Sequence, residues 1–221
     1  MDIERARFNM VEQQIRPWEV LDQDVLDLLF VVRREEFVPA ASRQLAFTDM
    51  ELPLTIDGRP SGEFMLAPKV EARLLQAAAP QRHESVLEIG AGSGYMAALL
   101  GHRAQRVTTA EIKPELAAFA AGNLERAAIT NVSVVTGNGL QVAESGEWDV
   151  IVLSGSVPFV PDSLLQRLTL GGRLVAIVGE LPVMVAQLIT CAGERAFATT
   201  SLFDTVATPL AGFPQKERFR F

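Results

Sequence analysis

Hydrophobic and polar positions follow one rhythm up to about residue 80 and another after it. In "MDIERARFNMVEQQIRPWEVLDQDVLDLLFVVRREEFVP", Met10, Val11 and Gln14 or Ile15 recur at helical spacing. Pro17 interrupts them, and Asp22 is placed to cap a second helix carrying Val25, Leu28, Leu29 and Val32 on one face, with Pro39 as its stop. The run "AFTDMELPLTIDGRPSG" gathers Pro53, Gly58 and Pro60 and predicts a loop or short hairpin, an insertion shaped like a lid. Helical pattern resumes from Pro68 to Ala79, with Pro68 suited to a first turn.

From Ser85 onward, short Val/Ile/Leu-rich runs alternate with helical ones. "SVLEIG", "RVTTAE", "VSVVTG", "WDVIVLSG" and "GGRLVAIVG" read as strands, and Tyr95 to Gly101, Pro114 to Ala127 and Asp162 to Leu168 read as helices. Two more strand-like runs lie around Met184 to Cys191 and Thr199 to Ala207. Apolar strands separated by helices imply a parallel sheet covered on both faces, a doubly wound α/β fold. The expected organisation is one domain, with residues 1–80 supplying N-terminal helices and lid and residues 81–221 the α/β core.

Composition narrows the possible partners. The chain carries 27 acidic and 20 basic residues, a formal charge of −7, and no basic block, which argues against general affinity for nucleic acid or anionic membranes. Its single cysteine, Cys191, cannot form an internal disulfide, and the first thirty residues are charged rather than signal-like, so a reducing cytoplasm is expected. No apolar run reaches the roughly 18 to 20 residues that cross a bilayer. His83 and His102 stand apart with no cysteine or carboxylate at ligand spacing, so no metal site is expected.

The candidate chemistry begins at "VLEIGAGSGYMA". Glu88, Gly90, Gly92 and Gly94 alternate directly after the first strand of the second regime and before a helix. Glycines there let the backbone turn sharply and approach a ligand where a Cβ would clash. A dinucleotide site spaces its glycines G-x-G-x-x-G and offers amides to a pyrophosphate; here the third glycine comes one residue early and a carboxylate precedes the first. Both features suit S-adenosyl-L-methionine, whose sulfonium and α-ammonium favour a nearby anion.

Glu111, about 20 residues on and closing the second strand, is placed to accept both ribose hydroxyls, or is simply a solvated strand-end residue. Asn138, in "GNGL", lies at the height of an adenine ring, although Asn-Gly equally makes a plain turn. Ser154 stands at the carboxyl end of the fourth strand, where open α/β sheets bind ligands, or simply ends that strand. Ala91, Ser93, Tyr95, Ile112 and Gly139, beside these residues, complete the expected cofactor set.

Taken in order, "MVEQQI", "REEFVP", "AFTDMELPL", "VLEIGAGSGYMAALL", "WDVIVLSGSVPFVP" and "GGRLVAIVGE" resemble the protein-L-isoaspartate O-methyltransferase family across most of the chain. The resemblance implies a Rossmann-like class I methyltransferase sheet, mostly parallel with a reversed last strand. It also implies S-adenosyl-L-methionine as cofactor, left as S-adenosyl-L-homocysteine, and methylation of the carboxylate of isoaspartyl residues in protein repair.

Departures from the family pattern concentrate in one segment. Family members continue into Gly-Gln-Thr-Ile-Ser-x-Pro; here Gly62 and Pro68 match, but Glu63 takes the Gln position, Phe64 the Thr and Leu66 the Ser. The hydroxyls are absent, the stretch from Pro53 to Gly62 is longer, and Gly137-Asn138-Gly139 replaces Gly-Asp-Gly. Asp49, Phe64, Met65 and Leu66 are thus the candidate lid and acceptor residues, although Phe64 and Met65 also suit core packing. Asp49 fits a turn cap equally well.

Three outcomes are therefore expected to compete. They are isoaspartyl methylation, methylation of a more apolar small acceptor, and cofactor or product binding without turnover, by a monomer or homodimer. Cys191 reads as a small buried apolar residue, and the tail "FPQKERFRF" as a solvated terminus.

Overall fold

The computed structural model describes residues 2–215, so the tail from Lys216 onward lies outside the described residues. The N-terminal segment is helical, as its spacing predicts, but broken into pieces. Asp2 caps α1 (Ile3–Asn9), a π-helical turn spans Met10–Ile15, and a short 3₁₀ turn covers Arg16–Trp18. The break falls at Pro17, after which Glu19 adopts a left-handed conformation. Asp22 then caps α2 (Gln23–Val31), accepting from the Asp24 and Val25 amides. The helix stops at Val31, well before Pro39, and 3₁₀ turns Arg34–Glu36 and Ala40–Leu45 carry the chain onward.

The expected lid is a hairpin. β1 (Leu52–Ile56) pairs antiparallel with β2 (Arg59–Met65) through a turn at Asp57 and Gly58, both at positive φ. α3 (Pro68–Ala78) follows with Pro68 in its first turn, and Ala79 ends it in a left-handed conformation.

Seven strands form one sheet: β3 (Ser85–Ile89), β4 (Arg106–Glu111), β5 (Val132–Thr136), β6 (Trp148–Val157), β7 (Leu168–Glu180), β8 (Val183–Gly193) and β9 (Ala196–Thr205). Their order is β5-β4-β3-β6-β7-β8-β9. The first five in this order pair in parallel, and β8 runs antiparallel to both neighbours. The reversal thus falls on the penultimate strand, and β9 returns in the common direction. Crossovers α4 (Tyr95–Arg103), α5 (Pro114–Arg126), α6 (Gly139–Ala143) and α7 (Asp162–Leu165) link the parallel strands. The helix expected to reach Leu168 ends at Leu165, because Leu168 pairs with Trp148 and opens β7.

Alternation along each buried strand divides the core in two. Val86, Val150, Val152, Val175 and Ile177 face a layer shared with α2, α3 and α4, and Leu87, Ile151, Leu153, Leu174 and Ala176 face the layer under α6 and α7. Cys191 is buried in β8 among the second layer, as its strand position predicts. Among the described residues no helix is long and apolar enough to cross a membrane. The consequence for function is topological. Chain direction across the sheet reverses between β3 and β6, and the carboxyl ends flanking that point form the crevice where such sheets hold ligands.

Candidate active site

The glycine loop leaves β3 at this crevice. Gly90, Gly92 and Gly94 all have positive φ, at 96°, 51° and 81°. The Gly90 and Ala91 amides donate to Ala110 O at 2.9 and 3.2 Å, tying the loop to the neighbouring strand. The early third glycine has a packing cause. A Cβ at Gly94 would lie 3.1 Å from Ala120 O, so glycine lets α5 close onto the loop. Asn123 of α5 donates to Ser93 O at 2.8 Å and reaches Phe37 O at 3.3 Å. Tyr95, wholly buried, meets Phe37 edge-on and anchors α4 in the core.

The two acidic residues of the cradle behave differently. Glu111 accepts the Gly92 amide at 2.9 Å on one oxygen and the Lys113 amide at 3.0 Å on the other, at the wall of the crevice. Glu88 points within the sheet instead, taking the Thr109 hydroxyl at 2.6 Å and the Ser154 hydroxyl at 2.7 Å. Burial pushes the Glu88 carboxyl up to about 8 against those two hydrogen bonds, with like charges at Glu71 and Glu111 adding to the rise.

The hairpin β1–β2 lies over the loop. A Cβ at Gly92 would sit 3.3 Å from Leu54 Cδ1, and Lys113 Nζ reaches back to Ser61 O at 2.6 Å and Glu63 at 2.7 Å. Both ends of the lid segment are held by one wholly buried side chain, Arg34, which donates to Ala46 O at 3.1 Å and Leu66 O at 2.6 Å and pairs with Glu71. Burial pushes Glu71 up to about 7 while Arg34 pulls the other way. Asp49 pairs with Lys69 at the start of α3 at 2.8 Å.

Between lid and cradle lies a narrow cavity of about 50 Å³. Of the sequence candidates, Phe64 and Leu66 line it from the lid, Gly90 and Gly92 from the loop, Glu111 and Ile112 from β4 and its exit, and Gly139 and Ser154 from beyond. Phe64 is 42 % exposed at the rim, whereas Met65, next to it, is buried in the core. Asp49, Met65, Glu88, Ala91, Ser93, Gly94, Tyr95 and Asn138 do not line the cavity; most of them support residues that do. Asn138 is one of these. Its side-chain oxygen accepts the Leu140 amide at 2.9 Å as the cap of α6, and its side-chain nitrogen reaches Gly212 O at 3.5 Å.

Sequence reasoning missed the segment Thr208 to Ala211, which closes the cavity from the far side. Leu210 lies so near the loop that Cβ atoms at Gly90 or Gly155 would approach its Cδ2 to 2.7 and 2.8 Å. The signal was present in "TPLAG", two apolar residues between a proline and a glycine just past the last strand.

The expected cofactor fits this donor set. A Cβ at Gly90 would fill the space next to Leu210, which lines the cavity, whereas one at Gly139 would run into Ile89, so Gly139 lets α6 pack against β3. Glu111 presents a carboxylate at the end of the second strand, with apolar Ile112 beside it to cover a flat ring. The walls carried on the hairpin and on a loop are Phe64 and Leu210.

Comparison with known proteins agrees with this architecture. The model of the protein-L-isoaspartate(D-aspartate) O-methyltransferase family matches residues 5–212. A relative from Koribacter versatilis named protein-L-isoaspartate O-methyltransferase is 38 % identical over 211 residues, covering 95 % of this chain and 91 % of its own. A solved protein-L-isoaspartate O-methyltransferase superposes with a TM-score of 0.77 at 24 % identity over 95 % of this chain and 66 % of its own. A Plasmodium falciparum structure, provisionally assigned to the same enzyme and in complex with S-adenosyl-L-homocysteine, gives 0.75 at 21 % over 94 % and 97 %. Both structures show the fold.

Proposed function

Because the chain belongs to the protein-L-isoaspartate(D-aspartate) O-methyltransferase family, whose cofactor is S-adenosyl-L-methionine, we propose that it methylates a carboxylate, with the isoaspartyl residue of an altered protein as acceptor. The bound cofactor supplies an electrophilic methyl group. Gly90, Gly92 and Gly139 would lie against it, Glu111 would take its ribose hydroxyls, and Ser154, bonded to Glu88, would border its reactive end.

One observation carries the choice of acceptor. Among the described residues, the titratable side chains lining the cavity are Glu63 and Glu111, and both are engaged, Glu63 by Lys113 Nζ and Glu111 by the Gly92 and Lys113 amides. An amine or alcohol that must shed a proton finds no free base there. A carboxylate, with an ordinary pKa near 4, arrives already ionised at pH 7. The residues then need only align it and exclude water, effects worth up to roughly 7 to 11 kcal/mol. The apolar lid, Phe64 and Leu66, suits the second task.

Those same two residues favour a second reading, an acceptor flanked by apolar groups. Phe64 and Leu66 offer no hydrogen bond where the family pattern carries hydroxyls, and a polar group left unpaired costs roughly 1 to 3 kcal/mol. Methyl release from labelled cofactor to an isoaspartyl peptide tests the first reading against the second and against cofactor binding without turnover. The variant Phe64→Thr with Leu66→Ser then reports on the lid: higher turnover on that peptide supports a recognition role, and unchanged turnover removes it.

A further inference from the structure

A second and larger cavity, about 510 Å³, adjoins the first across Thr208 and Pro209, which line both. It is bounded by the end of β6, the β7–β8 turn and the segment after β9, and its wall is largely apolar, with Leu181, Met184 and Val206 in it. Leu181 and Val206 are 74 % and 52 % exposed, so the cavity opens to solvent along a greasy rim. Glu51, one residue ahead of β1, lines this cavity too, and its Oε1 is buried without a hydrogen-bond partner among the described residues.

Such an oxygen is costly unless something donates to it. Burial raises the Glu51 carboxyl above the ordinary range, and the nearby Thr208 backbone N–H offsets this only in part. Ser156, also in the wall, spends its hydroxyl on Ala207 O at 2.8 Å. No lysine, arginine or histidine lines the cavity among the described residues. Glu51, with Glu180 also in the wall, sets a carboxylate in a largely apolar chamber that shows no cation among the described residues, which matches one chemistry well: a long aliphatic stem ending in a positive charge.

We propose that this chamber binds a lysine or arginine side chain of the methyl acceptor, its stem along Met184, Leu181 and Val206 and its charged head on Glu51. The inference rests on the reading that the acceptor is a polypeptide, because only a chain with neighbouring residues can occupy both cavities across the Thr208–Pro209 partition. Glu51 is then a specificity residue: it selects which carboxylates are presented and takes no part in bond making.

Binding rather than turnover tests this directly. Fluorescein-tagged Ala-Leu-Lys-Leu-Ala amide and the same peptide with norleucine for lysine are titrated by anisotropy against the wild-type chain and Glu51→Gln. The lysine peptide is expected to bind the wild type about tenfold or more tightly than the norleucine peptide, and that preference is expected to fall to about twofold or less in the variant. Equal affinities on the wild type, no binding of either peptide, or a preference that survives Glu51→Gln would overturn the proposal. The wild-type comparison stands even where the variant folds poorly. Methyl release is scored separately, so a lysine preference without transfer would reject the proposed function alone, and transfer without a preference would reject this site alone.

Discussion

Replacing Glu88 by Gln probes the most unusual charge in the sheet. Glu88 is wholly buried, with both oxygens held by hydroxyls, and its carboxyl is raised from 4.5 to about 8. A carboxyl raised on folding keeps its proton in the folded state over a range where the unfolded chain has lost it. Its contribution to stability is therefore greatest below about pH 4.5 and declines as pH climbs to about 8. At about 1.36 kcal/mol per pH unit, that window is worth on the order of 4 to 5 kcal/mol. For a chain of this length the loss corresponds to a melting temperature lower by on the order of 10 °C.

Glutamine keeps the shape: one of the Thr109 and Ser154 hydroxyls can rotate to accept from its amide NH2 while the other still donates to its carbonyl. Thermal melts of both proteins from pH 5 to 9 isolate the effect, because Glu71, pushed up to about 7, contributes in the same direction to each. The wild type is expected to lose ground to Glu88→Gln progressively above pH 5, the gap levelling off near pH 8. Parallel curves across the range would refute the reasoning, since they would mean that folding does not change the protonation of Glu88.

Three further outcomes follow from particular contacts. Gly139→Ala places a Cβ in the Ile89 side chain and is expected to cost about 1 to 3 kcal/mol and to weaken S-adenosyl-L-homocysteine binding, read by melting and calorimetry. Lys113→Met frees the hairpin from Ser61 and Glu63; faster amide exchange in residues 52–65 is expected with less than about 1 kcal/mol lost overall, because the pair is partly exposed. Arg173→Met removes a side chain that bonds Ala78 O and Ala79 O at 2.6 Å and both oxygens of Glu84, and is expected to cost about 3 kcal/mol at pH 7 by denaturant unfolding. Burial alone would raise Glu84, but Arg173 and the Gln81 amide hold it below the ordinary range. Its contribution is present above the unfolded carboxyl range and lost as pH falls through the folded value, so the Arg173→Met deficit is expected to shrink in acid.

What the sequence revealed was mostly local. The Asp22 cap, the Pro68 helix start, the hairpin turn and the apolar β3 and β6 strands all rest on residues within a few positions of one another, and each formed where its pattern predicted. What it hid depended on distant partners. Glu88 turned into the sheet because Thr109 and Ser154, 21 and 66 residues away, present hydroxyls to it. Leu168 became the start of a strand because Trp148 pairs with it. The Thr208 to Ala211 wall carries only the short "TPLAG" signal, and its place over the glycine loop comes from the parallel bridge between Ser156 and Pro209. At the lid, alternation along β2 put Phe64 at the rim and Met65 in the core, while Leu66, just past the strand, faces the cavity. Local spacing suggests such an alternation, but only the register with β1 fixes it.

The central claim, carboxylate methylation at a cavity whose described carboxylates, Glu63 and Glu111, are already engaged, meets its most direct test in one assay. Label from the methyl group of S-adenosyl-L-methionine is followed into an isoaspartyl peptide and its ordinary aspartyl counterpart. The account predicts a base-labile ester on the isoaspartyl peptide and none on the other. Cofactor binding with no ester on either peptide would contradict it.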